Sequence, residues 1–242
     1  MSEVAAKPLP RRGRIWVAGI LALGLLALGY TIVELSTREP GSPVVHVDGI
    51  NDAQRLFGGV PQEGDRFGSS NAPVTIQIFN DMQCANCSED FLRAIPTLAE
   101  DYARPGDVQL LYRHYSNSIN TEQLGFYGAE AAAEQNYGWQ YIYLFFRNQD
   151  EAERFGVGQE FLASVAGAIE RLDGAEWEKA IEAGLNNPGS PIAKQLAEYE
   201  ELGRDLKIRT GQAAIVTGPG GTRTLQDGAS LGEIERAIAE VR

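Results

Sequence analysis

Val74-Thr75-Ile76-Gln77-Ile78-Phe79-Asn80-Asp81-Met82-Gln83-Cys84-Ala85-Asn86-Cys87 holds both cysteines of the 242-residue chain. Its first six residues are rich in β-branched side chains and partly alternate, which predicts a strand. Beyond the cysteines, Phe91, Leu92, Ile95, Leu98, Ala99 and Tyr102 recur at helical spacing. The C-x-x-C therefore falls at a strand-to-helix turn. There the first sulfur meets unpaired N–H groups and the positive end of the helix dipole, which favour thiolate and lower a thiol pKa from about 8.5 to roughly 3.5–7.5. The second sulfur lies one turn on, close enough to close a small ring and release a mixed disulfide.

Two plainer readings compete. A structural zinc site needs four ligands, and no second cysteine pair exists; His46 and His114 stand isolated in the sequence. A purely structural disulfide would close a tiny loop, where loop-closure stabilisation is least. Redox chemistry is the preferred reading.

Outward from this segment, the N-terminus indicates a compartment. Lys7, Arg11, Arg12 and Arg14 precede Ile15 to Val33, 19 uncharged and mostly apolar residues. That length spans a hydrocarbon core of about 30 Å at about 1.5 Å per residue. Residues 1–14 are expected on the cytoplasmic side and 15–33 to form a single transmembrane anchor. A cleaved signal peptide is the alternative, with Ala27 and Gly29 placed for cleavage before Tyr30. Either reading exports the remainder. The net charge is −12 although residues 1–14 are net positive, so the rest is strongly acidic and poorly suited to nucleic acid.

Residues 34–66 read as a tether and lead-in, with Val44 to Val47 as a short edge strand. A body of ordinary domain size follows. The C-x-x-C helix is expected to kink at Pro96 and end near Pro105-Gly106. A second strand follows at Val108–Tyr112, then a largely helical block over about 121–206. Ser190 before Pro191 marks a helix start. Strands at Ala213–Thr217 and Thr222–Leu225 precede a last helix, opened by the capping box of Ser230 and Glu233. The aromatics from Trp139 to Phe146 fall at helical spacing and are expected in the core. The order is that of an α/β fold.

Phe67-Gly68-Ser69-Ser70-Asn71-Ala72-Pro73-Val74, the stretch Phe79 to Cys87, and Val108 to Tyr115 together resemble the DsbA-type thioredoxin-fold family over about residues 67–242. The resemblance implies a thioredoxin fold with a helical insertion at about 121–206. It implies thiol–disulfide exchange on exported proteins, with Cys84 attacking and Cys87 resolving. Three departures stand out. Ala85 and Asn86 replace the proline and histidine common between the cysteines. Ile78 occupies the place of a buried acid, and Asp81 is assigned no relay role. Gln212 and Ala213 occupy the substrate loop, with Ala213 where a cis-proline is expected, so a trans bond is the default.

The expected protein is a membrane-anchored, extracytoplasmic thiol–disulfide oxidoreductase. Its partners would be exported cysteine-containing proteins and a membrane redox partner that resets the pair. No cofactor or metal is expected. The alternative is a thioredoxin-like protein-binding or assembly factor with weak or no redox activity.

Overall fold

A computed structural model of the chain describes residues 46–116, 123–155 and 157–242. The basic segment 1–14, the apolar stretch 15–33 and the first part of the expected tether lie outside these residues. Among the described residues no helix is long and apolar enough to cross a membrane.

The folded body begins earlier than the sequence suggests. Residues 46–66 are no tether: helix α1 (Ile50–Phe57) buries Ala53, Leu56 and Phe57, and strands β1 (Gln62–Glu63) and β2 (Arg66–Phe67) form a small hairpin. Phe57 packs edge-on to Phe67 at 5.3 Å and to Tyr143 at 5.7 Å. The apolar spacing of Ile50, Ala53, Leu56 and Phe57 is helical but lasts only two turns, too few to stand out from a loop. The strand expected at Val44 to Val47 is not formed at His46 and Val47; the other two residues lie outside those described.

Strand β3 (Val74–Asn80) runs parallel to β4 (Val108–His114). Helix α2 (Ala85–Thr97) and a π-helical turn (Leu98–Ala103) make the crossover. Pro96 supplies no N–H to the carbonyl one turn back. From Leu98 the coil widens, and Arg104 donates its N–H to the carbonyl of Ala99 at 2.9 Å, five residues back. Strands β5 (Gln212–Gly218) and β6 (Gly221–Gln226) extend the sheet antiparallel on the other side, giving the order β1-β2-β4-β3-β5-β6.

Side-chain alternation divides the sheet into two faces. Val74, Ile76, Leu110, Tyr112 and Val216 belong to the main core, where α2 and the last helix, α9 (Leu231–Val241), contribute Phe91, Ile95, Ile234 and Ile238. The other face carries a smaller cluster of Phe79, Ala213 and Ile215 with Tyr115 and Ile208, covered by Leu202 and Leu206.

Between β4 and β5 lies the helical block: α3 (Leu124–Ala133), α4 (Gly138–Arg147), α5 (Gln149–Phe155), α6 (Gln159–Gly167), α7 (Gly174–Asn186) and α8 (Pro191–Asp205). The aromatics of α4 are core, as their spacing predicts: Trp139, Tyr141, Phe145 and Phe146 are all buried. The two predicted helix starts also form. Ser190 accepts the N–H of Ala193 at 3.2 Å, and the Ser230–Glu233 capping box is complete.

Candidate active site

Where β3 ends, a turn rather than the helix itself prepares the cysteines. One carboxylate oxygen of Asp81 accepts the Gln83 N–H at 2.9 Å and the other accepts the Ser116 hydroxyl at 2.6 Å. The Asp81 carbonyl accepts the Cys84 N–H at 3.2 Å. The ends of the two parallel strands are thereby tied together immediately before the C-x-x-C. From the helical block, the Gln149 side chain donates to the Met82 carbonyl at 3.2 Å. Asp81 is thus a structural clamp on the site turn.

Cys84 is the N-cap of α2. Its backbone is extended (φ −89°, ψ 112°), and its Sγ accepts the N–H of Cys87 at 3.2 Å. Its carbonyl accepts from the N–H groups of Cys87 and Ser88 at 3.1 and 3.2 Å. The first turn of α2 carries no acid, so no carboxylate of the helix's own first turn offsets its positive end at Cys84. Cys84 is half-buried, Cys87 is only 2% exposed, and the two are joined as a disulfide. The first cysteine of the pair is thus the more accessible residue and the second is enclosed.

The segment before β5 reaches the same turn. Gly211 lies so close that a Cβ there would sit 2.9 Å from the Cβ of Asp81. Gln212 pairs with Asn80 and Ala213 with Phe79 in the antiparallel register. The two substrate-loop residues singled out from the sequence point differently. Gln212 and Asp90 of α2 both reach Gly228: a Cβ there would lie 2.7 Å from the Gln212 Oε1 and 3.1 Å from the Asp90 Oδ2. Ala213 turns into the small cluster on the opposite face. Gln212, rather than Ala213, is the member of the pair directed toward the cysteine helix. No described peptide bond is cis, that between Gln212 and Ala213 included.

His114 is not isolated as its sequence position suggests. Its Nε2 lies 3.2 Å from a carboxylate oxygen of Glu130, and both residues are buried. Strand register places it beside Asn80 and two residues beyond Tyr112, on the α2 face. Burial, with a smaller contribution from Asp81, pushes the Tyr112 hydroxyl well above the ordinary tyrosine range. No spacing rule joins residues 114 and 130. The one available signal was Glu130 itself, a lone acid in the apolar run Gly128-Ala129-Glu130-Ala131-Ala132-Ala133. Among the described residues no group of three or more His, Cys, Asp and Glu side chains is placed to hold a metal ion.

A thioredoxin family model matches residues 62–203. The chain belongs to the thioredoxin family. Among curated relatives, a probable disulfide bond formation protein D of Bacillus cereus is 21% identical over 154 residues, covering 62% of this chain and 68% of that protein. Among solved structures, oxidised BdbD from Bacillus subtilis superposes with a TM-score of 0.60 at 17% identity, covering 75% of this chain and 96% of that one. DsbA2 of Pseudomonas aeruginosa gives 0.54 at 20% identity, covering 76% and 97%. The structural likenesses place the fold with DsbA-type proteins, as the sequence motifs imply.

Proposed function

We propose that the protein is a thiol–disulfide oxidoreductase whose working group is the Cys84–Cys87 pair. The observation that carries this reading is the asymmetry of the pair: a partly buried cysteine capping a helix N-terminus, bonded to a fully buried cysteine one turn on. In the oxidising direction a substrate thiolate attacks Cys84, Cys87 leaves, and the substrate's second thiol then displaces Cys84. In the reducing direction Cys84 attacks and Cys87 resolves. The curated relatives' name, disulfide bond formation protein, supports the oxidising sense. The decisive assay is oxidation of a reduced two-cysteine peptide by the disulfide form, beside insulin reduction by the dithiol form. Activity in neither would favour the protein-binding alternative.

The substrates we assign are cysteine-containing exported proteins, and the resetting partner a membrane redox protein. The support is the apolar stretch 15–33 behind a basic flank and the rule that disulfide exchange serves oxidising compartments. Protease added to intact spheroplasts should remove the globular body, and carbonate washing should leave the chain in the membrane pellet. A soluble mature chain beginning at Tyr30 would replace the anchor with a cleaved signal and preserve export.

A further inference from the structure

Away from the cysteines, a cleft of about 570 Å³ opens beside helix α1. Ligand sites occupy roughly 300–1,000 Å³. Ile50, Ala53 and Phe57 of α1 and Leu144 of α4 form its apolar side. Its polar lining is mainly of one chemical kind: the carboxamides of Gln54, Gln62, Gln135, Asn136 and Gln140. The charged residues that line it, Glu170 and Arg171, are both exposed and opposite in sign. In a chain of net charge −12 this cleft is therefore neutral. No lining residue belongs to the cysteine turn, α2 or β5.

Two of these carboxamides show what the wall can read. Gln135 accepts the Asp173 N–H at 2.8 Å and donates to the Asp173 carbonyl at 3.0 Å. Asn136 accepts the Gly64 N–H at 3.3 Å. Both hold main chain, because a carboxamide offers the same donor and acceptor pair as a peptide group. Gln62 and Gln140 differ. The Oε1 of each is buried and has no hydrogen-bond partner among the described residues. A buried acceptor without a donor is unfavourable, and an N–H supplied by a ligand relieves it. Gln62 also puts the cleft at the end of the sheet, since β1 is its terminal strand and pairs with β2 on one side. A chain lying along such an edge is extended.

We propose that this cleft binds an extended, uncharged segment of another polypeptide. Main-chain N–H groups of the segment donate to the side-chain oxygens of Gln62 and Gln140, and an apolar side chain rests against α1. The neutrality of the lining selects against strongly acidic or basic segments. An unfolded exchange client presents such a segment. That identity of the occupant rests on the exchange reading above, whereas the preference of the cleft for peptide N–H groups does not.

The probe is a cysteine-free peptide, acetyl-Ser-Leu-Ala-Val-Ser-methylamide, titrated into the full chain in its disulfide form and followed by amide NMR. The side-chain amide signals of Gln62 and Gln140 and the backbone signals of α1 should shift and saturate. The same peptide methylated at every main-chain nitrogen keeps its side chains and loses its donors, so it should bind on the order of tenfold more weakly. Gln62→Leu and Gln140→Leu remove one unpartnered acceptor each while keeping similar bulk. Both should retain the wild-type urea midpoint and bind the unmethylated peptide on the order of tenfold more weakly. No saturable shift at millimolar peptide overturns the proposal, as does equal affinity for the methylated peptide. Shifts confined to the cysteine turn and β5 overturn the placement. Saturable binding at the cleft by a wild-type protein inactive in both exchange assays would uphold the peptide site and overturn the exchange client as its occupant.

Discussion

Cys84 and Cys87 are three positions apart yet meet different surroundings, and each difference has a local cause. Cys84 closes the N-terminus of α2 and receives an N–H on its sulfur; Cys87 is turned inward by one helical step. In Cys87→Ser, alkylation of Cys84 should therefore titrate below the free-cysteine value of about 8.5, and a rate matching free cysteine would refute the assignment. Cys87→Ala should accumulate mixed disulfides with client proteins, whereas Cys84→Ala should not. Gly211 is a second residue whose identity matters at this scale. An alanine Cβ would press on Asp81 at 2.9 Å, so the turn ahead of Cys84 must shift. Gly211→Ala should cost about 1–3 kcal/mol in chemical denaturation and change the exchange rate as well. Wild-type values for both would show that the loop gives way freely.

Among the elements, α2 and α9 illustrate how helix ends set positions on the sheet. Helix α2 has a cysteine sulfur as its cap and no acid in its first turn, an arrangement that gives up some helix stability for a polarised sulfur. Helix α9 has the opposite emphasis. The Ser230 N–H donates to the Glu233 carboxylate at 2.9 Å, and its hydroxyl donates to the same carboxylate at 2.6 Å. Those hydrogen bonds hold the exposed Glu233 carboxyl below its usual range. Ser230→Ala should lower unfolding free energy by about 1 kcal/mol, measured by the urea midpoint. The thiol exchange rate should be untouched, because α9 meets the sheet through β5 and β6 and not at the cysteines. A change in exchange rate without loss of stability would contradict this separation.

For the whole molecule, the tyrosine-rich core ties stability to alkaline pH. Burial holds the Tyr112 and Tyr141 hydroxyls well above the ordinary range, and burial followed by the charge of Glu130 raises that of Tyr199. In each case the folded state keeps a proton that the unfolded chain loses near pH 10. Their contribution is therefore complete below about pH 10 and declines above it, by about 1.4 kcal/mol per pH unit for each such tyrosine. Urea midpoints measured across that boundary should fall steeply on the alkaline side. Tyr112→Phe should flatten the fall, and since it removes a buried hydroxyl with no partner among the described residues, it should cost little at neutral pH. A midpoint that stays level past pH 10 would contradict the burial of these hydroxyls.

Local pattern alone determined the central strand and its C-x-x-C helix, the second strand, the helical block, the closing hairpin and the last helix. These features were legible because periodicity, capping chemistry and glycine turns act over a few neighbouring residues. The cysteine pair was legible for the same reason, both members lying within one helical turn. Only the tertiary structure decided that residues 46–66 join the body, because α1 gains its stability by burying Phe57 against Phe67 and Tyr143, partners supplied from elsewhere in the chain. Only the tertiary structure turned Gln212 toward α2 and Ala213 away, since the face of each residue follows from the register of β5 on β3. The pairing of His114 with Glu130 belongs to the same class. A strand and a helix sixteen residues apart meet there because the sheet and the insertion bury a common core, and no local rule encodes a contact made by packing.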